Sequence, residues 1–155
     1  MSKRKNVFVK VSGDQFRNPA FRAWVKGVSA DNYVVIGVGG GTQINAEYER
    51  RGLPITKHGP LGREIPTFEG RQVVRDILEI NQRDLEDYLA EEGIHVPVAI
   101  PVFYLGDVLC HVNGDEMVRI AYLGYDELFV VTMAERVEKK AEEFAALPKV
   151  TVIGF

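Results

Sequence analysis

The sequence predicts an α/β fold, a three-layer α/β/α sandwich in which helices cover both faces of a mainly parallel sheet. Short runs rich in Val, Ile and Phe alternate along the chain with longer segments of helical periodicity. Several of these runs are apolar at consecutive positions, as expected of strands that are buried on both faces. The 155 residues suit a single domain over 1–155 that buries a sizeable core.

The first half of the chain is predicted to form two strand and helix pairs. A strand is expected at 7–11 and a helix at 18–26, with a proline in the first turn of that helix. The next strand, at 33–36, leads into a glycine-rich turn. Thr42 then occupies the N-cap position of a helix over 44–51.

The second half of the chain continues this alternation. A loop rich in proline and glycine, at 52–67, precedes a long amphipathic helix at 68–92 that ends at Gly93. The remaining predicted elements are strands at 95–100 and 102–105, a hairpin turn at 106–107, a helix after residue 115, a strand at 127–132, a helix at 134–146 and a strand at 150–153.

Composition excludes several classes of protein. Hydrophobic residues make up 46 %, charged residues 26 %, and the net charge is −3, so the chain lacks the basic footprint of a nucleic-acid-binding protein. A signal peptide and a transmembrane run are absent from the sequence, and we therefore expect a cytoplasmic protein without a membrane partner. Cys110 is the single cysteine, and we expect it to be a buried structural thiol.

The turn Gly39-Gly40-Gly41 joins a predicted strand to a predicted helix. Glycine allows positive φ and close approach to a ligand, and a helix N-terminus presents free N–H groups that suit phosphate. Thr42-Gln43 fits neither the Lys-Ser/Thr of a P-loop nor the last glycine of a dinucleotide fingerprint. The turn predicts a phosphate site of another kind; the alternative is a tight turn without a ligand.

Two further polar stretches follow predicted strands. Lys10 lies at the end of the first strand and would supply a positive charge, while the Ser12-Gly13 that follows would let the backbone approach a ligand closely. The alternative is that Lys10 is a solvent-facing residue. His111 begins a stretch that ends at Asp115, near a helix start, where Asp115 is either functional or a simple N-cap. Ligands of parallel α/β sheets bind off the carboxyl ends of the strands, and this edge is therefore the predicted site.

The long loop carries Arg63 and His58. Arg63 is a candidate for a bidentate clamp on a carboxylate or phosphate, and the alternative is an exposed charge. His58 is interpreted as an ordinary loop histidine.

These stretches resemble motifs of the amino-acid kinase superfamily, which includes acetylglutamate kinase and uridylate kinase. Residues 10–14, Lys-Val-Ser-Gly-Asp, resemble the first-strand Lys-x-Gly/Ser-Gly motif of that family. Residues 39–45, Gly-Gly-Gly-Thr-Gln-Ile-Asn, resemble its Gly-Gly-Gly-Pro-Gln-Ile-Asn. Residues 111–115, His-Val-Asn-Gly-Asp, resemble its Asn-x-Asn-Ala-Asp, and residues 125–132 resemble the strand that follows.

The resemblance implies an amino-acid kinase-like fold and an ATP-dependent phosphotransferase that uses Mg²⁺. The acceptor would be a carboxylate or phosphate group of a small acidic or phosphorylated molecule. By the same resemblance, Lys10 and Asp115 are catalytic, and a homodimer would form through residues 68–92. The implied phosphate-binding residues are Ser12, Gly13, Gly39, Gly40, Gly41 and Thr42, and the implied substrate-binding residues are Arg63, His111 and Asn113; no residue is identified as a metal ligand.

The sequence also departs from the family pattern. Family members are usually longer, and only one predicted helix and one predicted strand follow Thr132, so the nucleotide-binding part is expected to be shortened after about residue 132. The family's second lysine segment has no evident counterpart, and His111 stands where acetylglutamate kinase has a substrate asparagine. The alternative function is therefore a non-catalytic anion-binding, nucleotide-binding or regulatory module of the same fold.

Overall fold

A computed structural model describes residues 3–155 of the chain. In chain order its elements are β1 (Asn6–Val11), α1 (Pro19–Asp31), β2 (Tyr33–Val38), α2 (Gly41–Arg51), α3 (Phe68–Ala90), β3 (Val98–Ala99), β4 (Val102–Leu105), β5 (Val108–His111), α4 (Gly114–Ala121), β6 (Glu127–Thr132), a 3-10 turn (Ala134–Arg136), α5 (Val137–Glu143) and β7 (Val150–Gly154).

Five of the strands form one parallel sheet in the order β3-β2-β1-β6-β7. The predicted α/β fold with a parallel sheet is therefore confirmed. The central strand is β1, which pairs with β2 on one side and with β6 on the other. Strands β4 and β5 form a separate antiparallel hairpin. Because the strands of the main sheet run parallel, their carboxyl ends meet at one edge.

Alternate residues of β1 contribute to two different cores, because successive strand side chains point to opposite faces of a sheet. One core lies under α1 and α3 and includes Val7, Val9, Val11, Phe21, Val25, Leu85 and Leu89. The opposite core lies under α4 and α5 and includes Phe8, Val118, Leu128, Val130 and Phe144. Helices therefore cover both faces of the sheet.

A third apolar cluster fixes α2 against α3. Its buried residues are Ile44, Tyr48, Val73, Val74 and Leu78. The Tyr48 hydroxyl donates a 2.9 Å hydrogen bond to the Gly70 carbonyl and so satisfies its buried polar atom. This contact sets the position of α2, which follows the glycine turn.

Two predicted elements are shorter in the structure than expected. The strand predicted at 95–100 is reduced to β3, two residues long, because Pro97 and Pro101 lack the N–H group that a sheet ladder needs. The helix predicted at 134–146 begins as a 3-10 turn, and its α-helical part is limited to seven residues.

Cys110 is only partly buried, so the prediction of a buried thiol was wrong. Its strand belongs to the separate hairpin, where it pairs with the exposed Phe103 rather than with the main sheet. The same hairpin exposes Leu105 and Val108. Among residues 3–155, no helix combines the length and the apolar character needed to cross a bilayer.

Candidate functional site

A cleft of about 490 Å³ opens at the carboxyl ends of β1, β2 and β6. It brings together most of the residues that the sequence singles out, since its lining includes Lys10, Ser12, Gly13, Gly39, Gly40, Gly41, Thr42, Arg63, His111 and Asn113. Asp115 reaches the cleft through its contact with Lys10. The predicted residues therefore share one site, although they lie on four different segments of the chain.

One side of the cleft contains a carboxylate between two lysines. Lys10 Nζ lies 3.6 Å from Asp115 Oδ1, and Lys140 Nζ donates a 2.7 Å hydrogen bond to Asp115 Oδ2. Lys140 also donates to Glu143 at 2.8 Å. The side chain of Lys10 is only 14 % exposed, so the interpretation of Lys10 as a solvent-facing residue was wrong.

Burial and neighbouring charges shift the pKa values of Lys10, Asp115 and Lys140 to different extents. Burial lowers the pKa of Lys10 and outweighs the opposing attraction of Asp115. Burial alone would raise the pKa of Asp115, but the charges of Lys10 and Lys140 outweigh it and the pKa falls. Burial alone would lower the pKa of Lys140, as it does for Lys10, but hydrogen bonds to Asp115 and Glu143 outweigh burial and raise it. Asp115 is therefore held ionised between the two lysines.

The start of α4 lies directly against Lys10. A Cβ atom at Gly114 would lie 2.6 Å from Lys10 Cε, so only glycine leaves space for the lysine side chain to pass. Asn113 is the N-cap residue of α4, and Asp115 is its second residue, so the interpretation of Asp115 as the N-cap was wrong. The carboxylate of Asp115 is directed at the lysines instead.

The glycine turn differs from the prediction in two respects. Gly39, Gly40 and Gly41 do not adopt positive φ. Gly40 is required by packing, since a Cβ atom there would lie 2.8 Å from Asn81 Nδ2 on α3, whereas a Cβ at Gly41 would meet nothing within 4 Å. Asn81 also donates a 2.9 Å hydrogen bond to the Gly39 carbonyl. The turn therefore packs on α3 while Gly41 leaves open space on its other side.

The prediction that Thr42 is the N-cap of the following helix was wrong. Helix α2 begins one residue earlier, at Gly41, and Gly40 occupies the N-cap position without a side-chain bond. The Thr42 hydroxyl donates a 3.1 Å hydrogen bond to Asp14 instead. Gln43 donates to the Gly13 carbonyl at 3.0 Å, and these two bonds join the loop after β1 to the start of α2.

The two adjacent glycines provide a matched pair for a stability test. We expect Gly40→Ala to lower the free energy of unfolding by about 1–3 kcal/mol, because the new methyl group overlaps Asn81. Gly41→Ala should leave stability unchanged or raise it by up to about 1 kcal/mol, since it removes glycine from an open helical position. Urea unfolding of both variants measures the difference, and equal effects would contradict this packing role.

The other side of the cleft is formed by Arg63. Its side chain is buried, with 4 % of the residue exposed, so the interpretation as an exposed charge was wrong. Within residues 3–155, Nε, Nη1 and Nη2 of Arg63 all lack a hydrogen-bond partner. The guanidinium lies 5.7 Å from the centroid of the Tyr48 ring, and burial lowers the pKa of Arg63. A buried cation without a hydrogen-bonded anion is costly, and its usual compensation is a bound anion.

Two histidines lie beside this arginine at the cleft. His111 Nδ1 is buried and, among residues 3–155, has no hydrogen-bond partner. His58 Nδ1 lies 3.2 Å from Asn113 Oδ1, and the short bridge between His58 and Arg63 holds this loop together. His58 is an exposed histidine of this loop that also lines the cleft.

The charge of the cleft is opposite to that of the chain. Its cationic groups are Lys10, Arg63, Arg136 and Lys140, whereas the carboxylates at or beside it are Asp14, Asp115 and Glu143. The whole protein carries a net charge of −3. This excess of positive charge at one edge favours an anionic ligand.

Lys140, Arg136 and Asn81 also belong to this site and were not predicted from the sequence. The basic residues lie among charged residues after β6, where a solvated helix face is the ordinary interpretation. Their place at the cleft depends on how α5 packs. Comparison of the chain with protein-family models and with curated proteins gives no match.

Proposed function

We propose that the protein is a small-molecule phosphotransferase with an amino-acid kinase-like fold. ATP, bound with Mg²⁺, would be the donor, and a small molecule bearing a carboxylate or phosphate would be the acceptor. The observation that carries this proposal is the buried Arg63, whose three guanidinium nitrogens lack protein partners among residues 3–155, at the same cleft as Lys10 and Lys140. Such an arrangement suits two anionic groups that face one another.

The two sides of the cleft would have different tasks. The lysines would stabilise the transferring phosphoryl group, together with the backbone around Gly13 and Gly41. Arg63 would hold the acidic group of the acceptor. Phosphoryl transfer depends mainly on positioning and on neutralising charge, and this division of tasks provides both.

A nucleotide-bound Mg²⁺ would require few protein ligands, because Mg²⁺ in such sites is usually held by one or two carboxylates and by phosphates. Both oxygens of Asp115 are directed at lysines. Asp14, which is exposed and accepts a hydrogen bond from Thr42, would therefore be the carboxylate that approaches the ion.

The second candidate is a non-catalytic module that binds one acidic molecule. It is favoured by the internal neutralisation of the lysine pair, because Asp115 faces both lysines and Glu143 pairs with Lys140. Unlike the two lysines, the buried Arg63 would then be free to bind an anion from solution. In that case the protein would bind a small anion without turning it over.

Calorimetric titration with ATP, in the presence and absence of Mg²⁺, separates the two candidates. The phosphotransferase is expected to bind ATP, and Lys10→Ala should weaken binding roughly tenfold to a hundredfold, as the loss of a charged hydrogen-bond donor does. Lys26→Ala is the matched control, because Lys26 lies at the opposite edge of the sheet in a different cleft. Binding of a small acid without binding of ATP would favour the non-catalytic module, whereas ADP release with any acid acceptor would exclude it.

A further inference from the structure

The pocket around Arg63 contains more hydrogen-bond donors than a carboxylate readily satisfies. A guanidinium carries five N–H groups, and a carboxylate offers about four acceptor positions, of which a bidentate pair with arginine uses two. His111 adds a ring nitrogen that is buried and unpaired within residues 3–155. A group with more oxygens than a carboxylate would match this set of nitrogens better.

The loop before Arg63 is held tightly against the segment that carries His111. The backbone amide of Asn113 donates a 2.8 Å hydrogen bond to the Leu61 carbonyl. A Cβ atom at Gly62 would lie 2.6 Å from the His111 carbonyl oxygen, so the two backbones meet without an intervening side chain. Arg63 and His111 are thereby kept at the same end of the cleft before any ligand binds.

The surroundings of His111 keep its imidazole neutral in the ligand-free protein. Burial, followed by the positive charges of Arg63 and His58, lowers the pKa of His111 to about 4. Both of these neighbours belong to the loop, the cross-strand partner Val102 is apolar, and α2 contributes Tyr48, whose ring lies against Arg63. An anion at Arg63 would oppose the two repulsive charges.

We propose that His111 is a specificity-determining residue: with Arg63 it binds a tetrahedral, doubly charged phosphate-type group, and it takes up a proton from solvent as that group binds. This inference rests on the proposed function and selects phosphate over carboxylate as the acidic group of the small molecule. A phosphate monoester brings three strong acceptor oxygens and about −1.5 to −2 charges at neutral pH. An imidazolium beside the guanidinium matches both the oxygens and the charge.

Proton uptake has a definite sign. His111 itself would hold one more proton in the complex than in the free protein at pH values between its free pKa, about 4, and its higher value in the complex. Relative to a His111→Asn variant, the affinity of the wild-type protein should therefore rise as the pH falls through this window, by up to about tenfold per pH unit. The phosphate titrates in the same range, but its contribution is common to the wild-type protein and to a His111→Asn variant.

The test uses inorganic phosphate as the probe and acetate as the competing class, and follows the three histidine side chains by NMR. His95 is an internal reference, because it is exposed and lies in the cleft at the opposite edge of the sheet. We expect phosphate, but not acetate, to move the His111 signal toward its protonated form at pH 6 while His95 stays unchanged. Repeating the titration on Lys10→Ala removes phosphate binding at the lysine side.

Calorimetry in buffers of different ionisation enthalpy supplies the second readout. The wild-type protein should take up close to one proton more per phosphate bound than His111→Asn does, and His111→Asn should bind about tenfold more weakly. Phosphate binding without protonation of His111, or stronger binding of acetate than of phosphate, would overturn the inference. The ATP titration described above is independent of these results, so loss of ATP binding would count against the phosphotransferase alone.

Discussion

Replacing Arg63 with methionine is expected to stabilise the ligand-free protein while removing its ability to bind the acidic ligand. The guanidinium is buried and, among residues 3–155, makes no hydrogen bond, so its desolvation is not compensated. An apolar side chain of similar length removes that cost, and we expect the free energy of unfolding to rise by about 1–3 kcal/mol. Ligand affinity should fall at least about a hundredfold, because the buried cation supplies a charge-assisted pair. Urea unfolding in a buffer without phosphate, followed by titration with inorganic phosphate, measures both effects.

Arg136→Met is the matched control for this substitution. Arg136 also lines the cleft, but it is exposed, so the same change should alter stability by less than about 0.5 kcal/mol. A clear loss of stability in Arg63→Met would show that the arginine is a structural residue rather than a site for an anion. The opposite signs for stability and binding make this a demanding test, because most damaging substitutions lower both.

The second large effect is expected for Asp115→Asn. This substitution leaves the largely buried Lys10 and Lys140 without the carboxylate between them, and we expect a loss of about 3 kcal/mol of stability. If the proposed phosphotransferase function is correct, phosphoryl transfer should fall with it, since the lysines would no longer be held in position. Adding Lys10→Met to the variant removes the repulsion between the two lysines, leaves Lys140 paired with Glu143, and should recover part of the stability. Failure of this double variant to recover would contradict the electrostatic explanation.

Glu143→Gln is the control for the acidic partner. Glu143 also pairs with Lys140, but its side chain is 35 % exposed, so its loss should cost less than about 1 kcal/mol.

The stability that Asp115 contributes to the folded protein is also expected to depend on pH. Although burial alone would raise the pKa of Asp115, the lysines lower it below its ordinary value. The carboxylate therefore contributes its full stability at pH values above the ordinary pKa of an aspartate. This contribution is lost as the pH falls through the lower pKa that Asp115 has in the folded protein. The stability difference between wild type and Asp115→Asn should shrink on acidification, and a constant difference would exclude this linkage.

The sheet could be predicted from the sequence because its inner strands are short runs of apolar and mostly β-branched residues. The segments 7–11, 33–36 and 127–132 all lie within observed parallel strands. Their carboxyl ends identified the edge on which the glycine turn and Lys10 lie. The length of β3, which has only two residues, was overestimated because Pro97 and Pro101 interrupt the hydrogen-bond ladder within an otherwise apolar stretch.

The rest of the site depends on packing that local patterns do not contain. Lys139 and Lys140 are adjacent and chemically identical, and only the docking of α5 on β7 determines that Lys140 faces Asp115. Arg63 lies in an irregular loop, where neither helical nor strand periodicity indicates burial. The glycine before it was the one local signal of a close backbone approach.

The central position of β1 makes the order of chain synthesis relevant to the site. The backbone amide of Asn6 donates a hydrogen bond to Asp126, 120 positions later, and β1 lies beside β6 along its length. The entropy of closing so long a loop must be overcome before the pairing of β1 with β6 is rewarded, which slows folding relative to a fold built from local contacts. A nascent chain that ends before β6 has an incomplete cleft, since Thr132, Arg136 and Lys140 have not yet been made. The cleft therefore becomes complete only in a late step of chain synthesis.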